Sequence, residues 1–303
     1  IPGAGEFMVD FRPFRGVRYD RSAGSLADLI CPPYDVISLD DEQQLLARNP
    51  HNMVRLELSE LSGPPPADRY ERAASEFARM KQEKALKQDN LDSYYLLRQR
   101  FAVAGVQQDR LGLLGALKLE ELGGAVLPHE DTAAGPKEDR LALMKATSAN
   151  FSPIMMLFRD ADARIAEVTK RVISTNPEAD FMVDGQGYTL WVISEVVDVE
   201  TVRDALKSQP TYIADGHHRY ETAVGYGKET GGGAETVLTC LISFDDPGLL
   251  ILPYYRVVHG LDDEKLAQIQ NRLATLFTSI PALDSTPAEL DAAVANLAQD
   301  QVA

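Results

Sequence analysis

The sequence predicts a mixed α/β fold of the α+β class, and two observations carry this prediction. Short apolar runs of strand type and amphipathic stretches of helix type follow one another in no fixed order, so the chain is neither all-β nor a strict strand-helix alternation. Turn dipeptides such as Asp184-Gly185 separate neighbouring apolar runs, as they do in β-hairpins. The 303 residues suffice for one large domain or two ordinary ones.

The first part of the chain is predicted to mix strands with two helices. Apolar and small side chains keep a helical spacing among charged ones between residues 67 and 87, which predicts the longest helix there. The other expected elements are a strand within 11–19, a helix at about 40–47, a strand at 53–58, and a hairpin of strands 93–103 and 110–119 with its turn at 105–109.

The second part is predicted to contain a further hairpin, turning at Asp184-Gly185, and several helices. The expected helices lie at about 137–146, 161–173, 199–209, 263–277 and 286–300, with another that starts after Gly216 and ends at Gly227. The expected strands lie at 152–158, 211–214, 235–244 and 249–258.

Composition excludes several classes of protein. Apolar residues make up 45% and charged residues 25%, as in ordinary globular proteins, and no apolar run approaches the roughly 20 residues of a membrane span. A net charge of -16 disfavours broad nucleic-acid binding. The two cysteines, Cys31 and Cys240, stand far apart in apolar settings, which is typical of a reducing compartment. We therefore expect a cytoplasmic enzyme without a membrane or nucleic-acid partner.

The stretch "TYIADGHHRYETAVGYG", residues 211–227, predicts a strand, a tight turn and a helix start. The first backbone N–H groups of a helix have no partner within it and lie at the positive end of its dipole, so such a turn can bind phosphate. His217, His218 and Arg219 add side-chain donors there. Asp215 would instead cap the helix, hold a metal ion or receive an ammonium group.

On these residues alone the turn is a candidate anion site, and a structural interpretation stays open. In that interpretation Asp215 caps the helix, the two histidines pack in a half-buried position, and Arg219 is a surface charge. Neither a GxGxxG loop nor a lysine-bearing GxxxxGK[ST] loop is present to indicate a nucleotide.

A second candidate is "LPHEDT", residues 127–132, in which Pro128 precedes His129 and Glu130 in a polar loop. A loop carboxylate near cations can act as a general base, although a solvated glutamate is the simpler interpretation of this motif alone. The second histidine of HExxH is missing, so a zinc protease is not indicated. A third set of polar residues stands beside prolines or at predicted strand ends, where loops present side chains to pockets: Tyr34, Asp35, Asn52, Arg55, Arg256 and His259. The simpler interpretation of these residues is turn chemistry and surface charges on strands.

Taken together, the Pro-His-Glu loop and the later "YIADGHHR" turn resemble the free L-serine kinases of the ParB/sulfiredoxin superfamily, in which the two motifs face one another across the nucleotide. Over nearly its whole length the chain also resembles a prokaryotic family catalogued as domain of unknown function 1015. The motifs that carry this second resemblance follow the order of that family: "PPYDVIS", "NPHNMVRLE", "LPHEDT", "GPKEDRL", "ANFSPIMMLF" and "DGHHRYETA".

The resemblance implies a small-molecule kinase that transfers a phosphoryl group from ATP or ADP to L-serine, with Mg²⁺. Glu130 would be the general base, and Asp215 would position the substrate or hold the magnesium ion. His218 would assist catalysis in the turn. The residues implied for phosphate binding are Gly216, His217, His218 and Arg219, and the residues suggested for the substrate are Arg55, His129 and Arg256. Such a site supplies the positive charge and the alignment that phosphoryl transfer needs.

The resemblance also implies a division of the chain. We expect residues left from cloning at 1–7, an N-terminal α/β region at 8–115, a ParB/sulfiredoxin-like core at 116–260 and a helical region at 261–303 that continues in a longer native chain. Glu130 and Asp215 are 85 positions apart (215 minus 130), more than in the compact serine kinases, which implies an insertion at about 151–205. Such an insertion could reshape the acceptor pocket.

Particular features of the sequence argue against two other activities of the superfamily. Sulfiredoxins carry a reactive cysteine in the phosphate turn, where this chain has His217, so thiol chemistry is not expected. No basic helix-turn-helix accompanies the motif, which argues against a DNA clamp of the ParB type. A non-catalytic nucleotide sensor remains the alternative, and Glu130 discriminates between the two because a sensor needs no base.

Overall fold

The computed structural model describes residues 9–58, 69–103, 105–130, 135–207, 209–231, 234–251 and 259–276. The chain divides into two compact units between Leu249 and Leu250. Within the described residues, none of the helices has the length and apolar character needed to cross a membrane.

A nine-stranded sheet forms the centre of the first unit. Its strands, numbered in chain order together with those of a smaller sheet, are β1 (Phe11–Arg12), β4 (Tyr94–Val103), β5 (Val106–Lys118), β6 (Val126–Leu127), β7 (Ile154–Phe158), β8 (Ala179–Val183), β9 (Gln186–Ile193), β10 (Thr211–Asp215) and β11 (Thr236–Ser243). The order across the sheet is β6-β10-β7-β11-β5-β4-β9-β8, and β1 pairs with β5. A separate two-stranded sheet joins β2 (Val17–Tyr19) to β3 (Leu86–Gln88).

Nine helices are described, eight of them in the first unit. They are α1 (Leu26–Leu29), α2 (Leu39–Arg48), α3 (Val54–Glu57), α4 (Arg69–Gln82), α5 (Gly135–Thr147), α6 (Arg164–Val172), α7 (Val196–Leu206) and α8 (His217–Glu229), with α9 (Asp263–Leu276) in the second unit. The mixed α/β class predicted from the sequence is thus confirmed.

The sheet is mostly antiparallel, but two of its pairs are parallel. β6 runs parallel to β10, and β7 runs parallel to β11. Parallel neighbours end at the same edge of a sheet, so the segments that follow β6 and β10 emerge side by side. These two segments are the Pro-His-Glu loop and the Asp-Gly-His-His-Arg turn.

The main core lies on one face of the sheet. Side chains alternate across a strand, and those on this face pack with Ile165 of α6, Leu206 of α7 and Tyr220 of α8 in one apolar cluster. The opposite face of β4, β5, β7 and β11 carries a different set of side chains and contributes to a cavity described below.

Both predicted hairpins are present. β8 and β9 are joined through Asp184 and Gly185, which have φ angles of 49° and 78°, the left-handed conformation that a two-residue turn of this hand requires. The first hairpin is tighter than predicted, because Val103 already pairs with Val106. The turn prediction at 105–109 was wrong, since the polar residues before Arg110 continue the strand instead of bending.

One predicted strand, at 53–58, is wrong, because the segment forms the short helix α3. Its alternating apolar pattern is that of a strand, but Asn52 decides the conformation. The buried Asn52 side chain accepts a hydrogen bond from the backbone N–H of Val54 at 2.9 Å and donates to the carbonyls of Asp28 and Ile30. These bonds start a helical turn and fix it to the preceding loop.

Two helix boundaries also differ from the prediction. The helix expected at 67–87 ends at Gln82, and Lys84 then adopts a positive φ of 62° before the chain enters β3. The helix expected to end at Gly227 continues to Glu229. The strand within 11–19 is divided into β1 and β2. The predicted helix at 286–300 and most of the strand at 249–258 lie outside the described residues.

Gly115 of β5 gives a first testable prediction. A Cβ atom at Gly115 would lie 2.3 Å from the ring of Phe11, which is fully buried and stacked on Tyr94 at a centroid distance of 5.2 Å. We expect Gly115→Ala to lower the free energy of unfolding by about 1–3 kcal/mol, because the ring has no space to move into. Urea denaturation would measure this change.

The matched control is Gly225→Ala in α8, where an added Cβ would meet no atom within 4 Å. Alanine favours the interior of a helix over glycine, so this variant should be more stable by about 0.5–1 kcal/mol. Equal effects of the two substitutions would contradict the packing argument.

Candidate functional site

The turn after β10 is built around one glycine. Gly216 precedes the first residue of α8 with φ 93° and ψ 29°, a left-handed conformation that glycine adopts without strain. An added Cβ would lie 2.9 Å from the Arg219 guanidinium, so space also favours glycine. Glycine offers no side-chain oxygen to the first N–H groups of the helix. The start of α8 therefore keeps the backbone geometry that suits an anion.

Asp215 and Arg219 form an ion pair across this turn. Arg219 Nη2 lies 2.5 Å from Asp215 Oδ2, and Arg219 Nη1 donates to the carbonyl of Pro153 at 2.7 Å. The Asp215 side chain is 70% exposed, and the N-cap of the helix is Gly216 and not Asp215. The capping role considered for Asp215 is therefore not observed, and the carboxylate fixes the arginine instead.

His129 and Glu130 of the loop after β6 meet His217 of the turn. His129 donates from its backbone N–H to Nε2 of His217 at 3.3 Å, and the two rings lie edge to face with centroids 4.5 Å apart. Nδ1 of His129 bonds the carbonyl of Ile213 at 2.7 Å. Glu130 Oε1 lies 3.1 Å from His217 Nδ1, without the angle of a hydrogen bond.

The protonation state of His217 follows from these contacts. Its side chain is 1% exposed, and burial, followed by the nearby His129, lowers the pKa of His217 below its ordinary value. Because Nε2 accepts a hydrogen bond, the proton of the neutral ring is on Nδ1, the atom that faces Glu130. The site thus holds a neutral imidazole beside an exposed carboxylate.

The lowered pKa of His217 predicts a pH dependence of stability. The unfolded chain takes up this proton near pH 6.5, whereas the folded chain takes it up only at lower pH. The contribution of His217 to the free energy of unfolding is complete above about pH 6.5 and decreases as the pH falls towards the folded pKa. Urea denaturation in EDTA would measure the free energies of unfolding of the wild type and of His217→Gln. As the pH falls from about 7 to 5, the value for the wild type should decrease relative to that of the variant. A constant difference would contradict the burial argument.

The same three side chains could hold a metal ion. One ligand atom each from His129, Glu130 and His217 lies within 4.8 Å of the others. Two imidazole nitrogens with one carboxylate suit transition metals better than Mg²⁺, which prefers oxygen ligands. To bind a cation through Nδ1, His217 would also have to move its proton to Nε2 and lose the contact with His129. Among the described residues at this edge, Glu130 and Asp215 offer carboxylate oxygens to Mg²⁺.

A cavity of about 390 Å³ lies beside the turn, on the sheet face opposite the main core. Asp215 and Arg219 line one end of it, and Gln99 and Arg110, a cross-strand pair of β4 and β5, line another part. The rest of the lining is mainly apolar and comes from strands, from α3 and the residue before it, from the loop before α2 and from the segment between α5 and β7: Cys31, Pro32, Pro33, Met53, Glu57, Leu97, Gly112, Phe151, Ser152, Pro153, Met155, Cys240 and Ile242.

The two cysteines both line this cavity and are not paired. Burial, followed by the charge of Glu57, raises the pKa of Cys31 to about 12, and burial raises the pKa of Cys240 to about 12 as well. Both groups therefore stay thiols at neutral pH and lack the thiolate that cysteine chemistry requires.

Of the remaining predicted residues, His218 adjoins His217 at the start of α8, and the others lie elsewhere or outside the described chain. His218 is in the first turn of α8, where its carbonyl accepts from the Thr222 hydroxyl at 2.7 Å. Arg55 lies on α3 and donates to the carbonyl of Leu46, and the cavity is lined by its neighbours Met53 and Glu57. Arg256 lies outside the described residues, and His259 belongs to the second unit.

Sequence reasoning missed most of the cavity lining. Gln99 and Arg110 stand in runs of consecutive polar residues, 98–100 and 107–110, which do not indicate which face of a strand lines a pocket. Their shared position became evident only with the register that pairs them. Glu57 and Ser152, joined by a hydrogen bond of 2.5 Å between Ser152 Oγ and Glu57 Oε1, gave no sequence signal.

Comparison with known proteins gives one match. The family model described as "Protein of unknown function (DUF1015)" matches residues 11–301 of the chain. No curated protein and no solved structure matches it. Since the matched segment covers almost all of the 303 residues, the chain belongs to the DUF1015 family.

Proposed function

We propose that the protein is a small-molecule kinase that transfers a phosphoryl group from ATP or ADP to the hydroxyl of free L-serine, with Mg²⁺ as cofactor. The observation that carries this proposal is the meeting of the two motifs at one edge of the sheet, where Glu130 Oε1 lies 3.1 Å from Nδ1 of His217. The motifs are far apart in sequence, and the parallel pairing of β6 with β10 brings them together. We also propose that β6, β10 and α8 belong to a ParB/sulfiredoxin-like core.

The proposed reaction uses the residues in distinct roles. The serine hydroxyl gives its proton to Glu130 as its oxygen forms a bond to the terminal phosphorus, and the bond from that phosphorus to the leaving nucleotide oxygen breaks. The N–H groups at the start of α8 and the Arg219 guanidinium stabilise the charge on the phosphoryl oxygens. Mg²⁺, held by carboxylates such as Asp215, would supply further positive charge when bound.

The alternative is a nucleotide-binding sensor without catalytic activity, and one contact favours it. Arg219 is already paired with Asp215 and bonded to the carbonyl of Pro153, so its charge is partly compensated before any ligand binds. In a sensor, nucleotide binding would exchange this internal pair for a phosphate contact. The unpaired cysteines support a reducing compartment for either activity, and we propose the cytoplasm.

The test is a transfer assay with a panel of acceptors. The protein is incubated with ATP or ADP and with L-serine, L-threonine or L-homoserine, in Mg²⁺ or in EDTA, and phosphorylated products are identified by mass spectrometry. We expect O-phosphoserine in the presence of Mg²⁺ only. Nucleotide binding without transfer to any acceptor would support the sensor, and absence of both would exclude the two proposals.

A further inference from the structure

We propose that the 390 Å³ cavity beside the turn binds the nucleoside of the phosphoryl donor, and that Arg110 contacts acceptor atoms of its base. This inference rests on the proposed function and goes beyond it by assigning the donor and the acceptor to opposite sides of the turn.

The direction of phosphoryl transfer separates donor from acceptor. The attacking and leaving oxygens lie roughly in line on opposite sides of the phosphorus. β10, which ends in the phosphate turn, has β6 on one side and β7 on the other. Glu130 follows β6, whereas the cavity is lined by Met155 of β7 and by strands beyond it. An acceptor that reaches Glu130 therefore lies on the β6 side, and the leaving nucleotide lies on the β7 side.

The cavity has the size and lining of a nucleoside pocket. Its volume of about 390 Å³ lies in the range of roughly 300–1,000 Å³ that is typical of small-molecule sites, which are mostly apolar with a few polar groups. From β10 to β5 there are three strand spacings, about 14 Å at roughly 4.8 Å each. The register places Asp215 level with Met155, Cys240 and Leu114, and Arg110 lies four residues (114 minus 110) further along β5, roughly 13 Å at about 3.3 Å per residue. A ligand that joins the turn to the Arg110 side chain is thus much longer than a free amino acid and needs the length of an extended nucleoside diphosphate.

Arg110 is the group that can recognise the far end of this ligand. It is half-buried, donates to Gln99 Oε1 at 2.5 Å and lies 5.3 Å from the centroid of the Phe101 ring. Within the described part of the chain, no carboxylate lies within 4.0 Å of its guanidinium nitrogens, whereas Arg98 and Arg100 of the neighbouring strand have Asp109 and Asp180.

Among the described polar side chains at this end of the cavity, Arg110 keeps hydrogen-bond donors. The Gln99 amide nitrogen is engaged by Gln186 and Tyr188, and its oxygen accepts from Arg110. Arginine has five N–H donors and no acceptor, so Arg110 keeps a donor for one of the ring nitrogens of adenine, which accept hydrogen bonds.

Two ligands distinguish a contact with the base from a contact with phosphate. ADP and inorganic pyrophosphate are titrated in Mg²⁺ against wild type and Arg110→Gln. We expect the substitution to weaken ADP binding about 10- to 100-fold, as for loss of a hydrogen bond from a charged donor, and to leave pyrophosphate binding unchanged. The control is Arg100→Gln on β4, which pairs with Asp180 and does not line the cavity, and it should bind both ligands as wild type does.

A second variant tests the cavity without changing a charge. Leu97→Trp fills the cavity from β4, on the side of Gln99 and four strands away from β10, and should abolish ADP binding while pyrophosphate still binds. Equal weakening of both ligands by Arg110→Gln would assign Arg110 to phosphate and overturn the inference, and so would ADP binding that neither variant affects. Formation of O-phosphoserine with unchanged ADP affinity in both variants would refute the pocket and leave the kinase standing. If both variants affect ADP and pyrophosphate binding as expected but no acceptor is phosphorylated, the pocket would stand and the kinase would be refuted.

Discussion

Replacing Glu130 by glutamine is expected to lower the rate of phosphoryl transfer to L-serine by about 100- to 10,000-fold, the range for loss of a general base. Nucleotide affinity should stay the same, because the proposed donor side of the turn is formed by other residues. The Glu130 side chain is 56% exposed, so the substitution should change the free energy of unfolding by no more than about 0.5 kcal/mol. Single-turnover kinetics with ATP and ADP, together with urea denaturation, would measure these three quantities.

The matched control is Glu121→Gln, which removes another exposed carboxylate that precedes β6 and pairs with Lys228. This variant should keep full transfer activity. Glu130→Asp, which shortens the side chain but keeps the carboxylate, should retain part of the rate. A full rate in Glu130→Gln would remove the base from the mechanism. A loss of nucleotide affinity equal to the loss of rate would indicate that Glu130 acts in binding, as a metal ligand or through His217.

That the two motifs lie close together could be predicted from the sequence only through the resemblance to serine kinases. In the structure, their proximity follows from the parallel pairing of β6 with β10. A strand as short as β6 is not recognisable from its own residues. Its parallel register with β10, which places Val126 opposite Thr211 and Leu127 opposite Tyr212, is a long-range contact that local patterns do not contain. The turn itself, in contrast, could be predicted from the local sequence, because a glycine suited to a left-handed conformation and the start of a helix are both recognisable from neighbouring residues.

Tertiary contacts explain where local patterns failed. The segment around α3 has the alternation of a strand, yet the Asn52 side chain bonds one backbone donor and two backbone acceptors and holds the turn in helical form. The cavity also depends on tertiary contacts, because Gln99 and Arg110 become neighbours only when β4 pairs with β5. Patterns of period two or 3.6 identify elements, but they do not specify which elements become neighbours.

The second large effect is expected at the ion pair between Glu57 of α3 and Arg140 of α5. Arg140 Nη1 lies 2.8 Å from Glu57 Oε2, Nη2 donates to the Glu57 carbonyl at 3.1 Å, and the side chains are only 8% and 5% exposed. The guanidinium also lies 3.9 Å from the centroid of the Tyr34 ring. Removing one member of such a pair leaves a buried charge without compensation.

We therefore expect Arg140→Met to lower the free energy of unfolding by about 3–5 kcal/mol, measured by urea denaturation. The double variant with Glu57→Gln should recover a large part of this loss, because the buried charge of Glu57 is then absent, the other partner of Arg140, Asp139, keeps its pair with Arg69, and the glutamine can still accept from Ser152. A small loss in Arg140→Met, or no recovery in the double variant, would contradict the argument. Since Glu57 and Ser152 line the cavity, the single variant should also weaken ADP binding more than pyrophosphate binding, which connects the stability of the α3–α5 contact to the proposed nucleoside pocket.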